Sequence, residues 1–141
     1  MKRFAKSVLG VTLLEIMLVL AIAAMIIVMS VRYYQSATTN QQANAILAQL
    51  QAIVAAADSV SQTTGTYTSA TSATLKSIAG ANSFNTPWGT AITVTPGTST
   101  LTFGIATVPT GVCNLLTARL KANNHWTTTT CTAPVYSANA P

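Results

Sequence analysis

Glu15 is the residue with the clearest chemical problem to solve. Four residues separate it from Gly10, and from Ile16 to Val31 the chain carries no charged side chain. An ionised carboxylate costs roughly 2.5–3.5 kcal/mol at the centre of a membrane span, and less near the interface. Packed among like helices away from lipid and water it becomes a buried charge, and breaking a buried pair costs on the order of 3–5 kcal/mol. It needs a cation, and the apolar run contains none. Cleavage after Gly10 would create one at the amino group of Val11. That amine and the Glu15 carboxylate can meet within one helix, or the pair can join neighbouring chains and set their axial stagger; the residues leave both open.

The rest of the chain offers little other chemistry. One histidine, His125, and two acids, Glu15 and Asp58, 43 positions apart, do not assemble a general base, a nucleophile and an orienting group, so an enzyme is not expected. No glycine loop of phosphate-binding type and no cluster of metal ligands occurs, so neither a cofactor nor a metal is expected. Cys113 and Cys131 stand 18 apart and are the only two cysteines. With an exported N-terminus a disulfide between them is the leading reading, free thiols the alternative. Arg119, Lys121 and His125 offer a small basic patch, which is thin support for nucleic acid. Trp88 reads as an anchor under a hairpin or as a stacking surface for a ligand. Asp58 reads as a solvated helix residue without a role.

Composition places these residues. Half of the chain is apolar and only 6% is charged, against about 25% in an ordinary soluble domain. The excess is concentrated between Val11 and Val31. The net charge of +5 is largely a property of Lys2, Arg3 and Lys6; beyond Gly10 the balance falls to +2. A secretory signal has its cleavage site after the apolar region. Here the glycine precedes it, so cleavage would leave the apolar segment attached as an anchor.

The elements that must position these groups follow in order. Residues 1–10 form a basic leader. Residues 11–34 form a membrane-spanning helix: the 21 residues from Val11 to Val31 span roughly 32 Å at about 1.5 Å each, close to the hydrocarbon thickness of about 30 Å. Arg32, Tyr33 and Tyr34 suit the far interface, and the basic leader keeps the N-terminus inside. No proline or glycine occurs between Val11 and Thr64, so residues 35–64 continue the helix, with Ala43, Ile46, Leu50, Ile53, Ala57 and Val60 as one apolar face. That face is expected to pack on its own domain, with a coiled-coil partner as the alternative.

Residues 65–141 form a small body. Ser72 can cap a short helix whose Leu75 and Ile78 share a face and which Gly80 closes. Asn85 to Gly89 make a turn. Ile92 and Val94, then Leu101, Phe103 and Ile105, alternate as two antiparallel strands around Pro96-Gly97. Val112, Leu116 and Leu120 mark a helix over Gly111 to Asn123. Trp126 to Thr132 reads as a third strand, ended by Ala133-Pro134. The fold class expected is α+β: a long N-terminal helix, half anchor and half amphipathic, packed on a small antiparallel sheet.

Gly10, Val11-Thr12-Leu13-Leu14-Glu15 and the long apolar helix behind a short basic leader resemble the class III leader and N-terminus of type IV pilins. The resemblance covers about residues 1–55; the remainder is similar in plan only. It implies a pilin-like subunit, the major structural subunit of a type IV pilus. A prepilin peptidase would cut between Gly10 and Val11 and methylate the Val11 amine. The inner-membrane assembly machinery would then draw subunits from the membrane into an extracellular helical filament of identical copies. Glu15 would meet the N-terminal amine of an adjacent subunit, and the Cys113–Cys131 segment would match a disulfide-bounded region on the filament surface. Val11 in place of phenylalanine, the helix without proline, the Tyr33-Tyr34-Gln35-Ser36 run and the Asn85 to Gly89 turn look more like type IVb than type IVa pilins, although the leader is short as in type IVa. A minor pilin shares these features. A type II secretion pseudopilin would want several carboxylates in its body, where Asp58 is the only one. A membrane-anchored binding module that never polymerises would share the anchor and have no need of Glu15. Adhesion, conjugation and motility are all compatible uses of such a filament.

Overall fold

The computed structural model of the chain describes residues 12–123, 125–132 and 135–140. The leader expected over residues 1–10, with Gly10 and Val11, lies outside these residues, as does Ala133-Pro134. The chain divides into two units, one ending at Ala37 and the other beginning at Thr38. A single helix, α1 (Leu13–Thr64, 52 residues), contributes to both. It begins two residues later than Val11, because Thr12 stands before it as a cap.

In the first unit, α1 exposes its large apolar side chains all round. Leu13, Met17, Leu20, Met25 and Met29 are each more than 60% exposed. Among the described residues of this unit nothing covers them. Ser30 is the polar exception, and its hydroxyl donates to the Ile26 carbonyl at 2.8 Å. Closing that bond inside the helix removes the cost of an unsatisfied donor in hydrocarbon.

In the second unit, Ala43, Ile46, Leu50, Ile53 and Ala57 are completely buried, and Val60 is half-buried, as the apolar stripe requires. Val54 and Ala56 widen the stripe. Gly65 ends the helix with φ +76°, a left-handed conformation that glycine takes without steric cost, while its N–H bonds the Ser61 carbonyl at 2.7 Å. α2 (Ser72–Ala79) follows a short 3₁₀ turn at Tyr67–Ser69. Its cap is Thr71, not Ser72: the Thr71 hydroxyl accepts from the Thr74 N–H, and Ser72 instead donates to the Val94 carbonyl. Leu75 is buried, but Ile78 is 52% exposed, so the two do not share a buried face.

The sheet has four antiparallel strands, one more than expected: β1 (Ile92–Pro96), β2 (Leu101–Ile105), β3 (Thr128–Thr132) and β4 (Val135–Ala140). Their order is β1-β2-β4-β3, so the last strand inserts between β2 and β3. Ile92 pairs with Ile105 and Val94 with Phe103 across the first ladder, and Phe103 pairs with Ala138 across the second. α3 (Thr110–Lys121) lies against β3 and buries Val112, Cys113, Leu116 and Leu120. The core aromatics are Phe84, Phe103 and Trp126, the last two edge to face at 5.6 Å between ring centres.

Candidate assembly site

Thr12 and Glu15 build the start of α1. The Thr12 carbonyl accepts the Glu15 N–H at 3.0 Å and the Ile16 N–H at 3.2 Å, and its hydroxyl also accepts the Glu15 N–H, at 3.3 Å. A threonine followed three residues later by a glutamate is the pattern of a capping box, and the threonine half of it is made here. The pattern is present in the residues themselves, and the sequence reading passed over it. Its consequence is local. Thr12 satisfies a donor of the first turn, and the acid at Glu15 lies where the helix dipole favours a negative charge. The carboxylate stands exposed on the first turn, and no cation among the described residues reaches it. The Val11 amine that cleavage would create lies outside the described residues, and precedes the cap.

α1 is long and apolar enough to cross a membrane, and its most apolar stretch is wholly exposed within the chain. Arg32, Tyr33 and Tyr34 all stand exposed at the far end of that stretch, Tyr33 by 79% and Tyr34 by 70%. The apolar stretch, Arg32, Tyr33, Tyr34 and Glu15 thus belong to one element.

No family model, curated protein or solved structure matches this chain.

The second unit arranges its few polar groups differently from the expectation. Arg119 has partners on α1. Its guanidinium donates to Asn44 and, at 3.2 Å, to Asn40, tying α3 to α1. Asp58 is not a bare solvated acid: the Tyr67 hydroxyl donates to its Oδ1 at 2.7 Å. That bond holds the Tyr67 phenol above its ordinary range, because a hydrogen-bonded carboxylate favours the protonated phenol, and burial and the Asp58 charge act in the same direction. His125 is exposed and sets its ring edge to face with Trp126 at 6.3 Å. Trp88 is half-buried against the core, with its indole N–H donating to the Ala106 carbonyl at 3.3 Å. Trp126, rather than Trp88, is the buried indole.

Cys113 is completely buried on α3, and no free cysteine occurs among the described residues. The other cysteine, Cys131, lies on β3, the strand against which α3 packs, and pairs through the ladder with Tyr136; its side chain lies outside the description.

Proposed function

We propose that this chain is the major structural subunit of a type IV pilus, more like the type IVb class. It would be processed at Gly10–Val11 by a prepilin peptidase and methylated on the new Val11 amine. From the inner membrane it would be polymerised by the assembly machinery into an extracellular filament of identical subunits. The observation that carries the reading is the position of Glu15: an acid on the first capped turn of a helix whose large apolar side chains from Leu13 to Val31 stand exposed, with no cover among the described residues. Such a helix is soluble only in lipid or against its own kind, and in the second setting a neighbouring copy can bring the carboxylate a partner. In the filament that partner is the Val11 amine of an adjacent subunit. A binding module that remained singly anchored would gain from the acid only the small interaction with the helix dipole.

The α+β body fits the role of a head. Its core is built on the second half of α1, so the element that enters the filament is continuous with the one that holds the sheet. A Cys113–Cys131 bridge joins α3 to β3 and closes the C-terminal region of the head in the oxidising space outside the inner membrane.

The test is to shear surface filaments from cells and weigh their subunit. The expected mass is that of a chain beginning at Val11 with one added methyl group and two hydrogens fewer for the bridge. A subunit still beginning at Met1, or the absence of this chain from any filament, overturns the proposal.

A further inference from the structure

An open cavity of about 210 Å³ lies between α1 and the segment that follows α3. From α1 it is lined by Gln51, Val54, Ala55 and Asp58, and from the other wall by Asn123, His125 and Trp126. Val54, Ala55 and Trp126 give it apolar surface, and its charge is the carboxylate of Asp58, the only acid of the second unit. Tyr67 occupies Oδ1 of that carboxylate, and no cation among the described residues pairs with it. A carboxylate has about four acceptor positions, so one phenol leaves most of its capacity unused. Trp126 is only 8% exposed, so it forms a wall rather than a platform for stacking. An open cavity that joins apolar side chains to a carboxylate matches a lysine, which lays its methylene stem on apolar surface and presents a compact charge at the tip.

The opposite flank of α1 offers such a residue. Gln49 precedes Asp58 by nine positions, about half a turn out of phase on a helix. Its amide donates to the Asn85 carbonyl at 2.8 Å, so that flank faces the segment around Phe84. Lys76, in the last turn of α2, stands exposed with its ammonium 5.5 Å from the centre of the Phe84 ring. α2 packs on β1, at one edge of the sheet, whereas Trp126 leads into β3 at the other. No ion pair joins the two groups among the described residues, so Asp58 and Lys76 of one copy do not satisfy each other. Complementary patches on different faces make a heterologous contact, which repeats from copy to copy instead of closing a pair.

We propose that the Asp58 cavity is the socket for Lys76 of a second copy of this chain. This rests on the filament reading, and places one of the contacts between successive heads. Arg119 is held by Asn40 and Asn44, and Arg32 belongs to the anchor, which leaves the lysines as candidates. Lys121 stands at the end of α3, just before Asn123 on the cavity's own wall, so it does not supply a complementary face.

The test is carbodiimide coupling, which joins a carboxylate to an amine only where they touch, applied both to sheared filaments and to membranes of the same cells. The expected result is a ladder of covalent oligomers whose digest contains an Asp58–Lys76 linked peptide. That linked peptide is lost in Lys76→Gln and in Asp58→Asn, the second of which keeps an acceptor for Tyr67. Filaments that yield no such peptide, or that link Asp58 to Lys121, overturn the socket and leave the filament reading standing. An Asp58–Lys76 peptide confined to the monomer band also overturns it. Linked oligomers in membranes of cells that make no filament keep the socket and overturn the filament reading, and an absence of both overturns both.

Discussion

The hydroxyl of Tyr67 donates to Oδ1 of Asp58 at 2.7 Å, joining the 3₁₀ turn after Gly65 to the last turns of α1. Because this bond raises the Tyr67 pKa above the usual phenol value of about 10, the folded state keeps the proton longer than the unfolded one. The stabilisation is fully present below pH 10 and is lost as pH rises through the folded-state value. Tyr67→Phe should therefore lower stability by about 1 kcal/mol at neutral pH and flatten the alkaline limb of a thermal-unfolding series. An unchanged alkaline limb in the variant would show that the bond is not the source of the effect.

Gly104 sits opposite Thr93 in the first ladder, and the Thr93 hydroxyl donates to its carbonyl at 2.9 Å. A Cβ at position 104 would lie 2.6 Å from that hydroxyl oxygen. Gly104→Ala should force the Thr93 rotamer to turn and cost about 1–2 kcal/mol. The same substitution in a Thr93→Ala background should cost much less. Equal costs in both backgrounds, measured by denaturant unfolding, would contradict the contact.

Local pattern made much of this fold legible. The steps of three and four from Ala43 to Ala57 identified the buried face of α1, Gly65 marked its end, and alternation at Ile92, Val94, Leu101, Phe103 and Ile105 placed the first hairpin. What stayed hidden depends on tertiary partners. β4 has the sequence Val135-Tyr136-Ser137-Ala138-Asn139-Ala140, weak in strand-forming residues, and it exists because β2 and β3 offer it a slot on each side. The same holds for Arg119, whose partners Asn40 and Asn44 lie 79 and 75 residues away. At the candidate assembly site, Glu15 was legible from its improbable surroundings, whereas the role of Thr12 required recognising that the helix starts after it.

Cys113 is completely buried, so its replacement tests packing as well as bridging. Cys113→Ser should remove the constraint on a loop of 18 residues, about 3 kcal/mol by chain entropy, and add the burial of a hydroxyl. Cys131→Ser removes the same bridge from the other end. Both variants should lose protease resistance in the periplasm, and the unmodified protein should show no reactive thiol when denatured without reductant. A denatured wild-type chain that labels with two thiol reagents per molecule would rule out the bridge.

Glu15 has one role in the helix start and a second in the proposed filament, and substitution can separate them. As the acid of the first turn it complements the helix dipole, worth about 0.3–1 kcal/mol, whereas as the partner of a buried amine its loss costs on the order of 3–5 kcal/mol. Glu15→Gln keeps size and hydrogen bonding but removes the charge, and should abolish filaments while the subunit still inserts in the membrane. Thr12→Ala removes the hydroxyl that accepts the Glu15 N–H, a loss of about 1 kcal/mol to the helix start, and should leave filaments in place. Filament yield from sheared cells, set against the amount of subunit in the membrane, compares the two directly. Normal filaments from Glu15→Gln would refute the charge pairing, and equal failure of both variants would assign the defect to helix initiation. Only loss confined to the charge change supports a carboxylate that meets the amine of its neighbour.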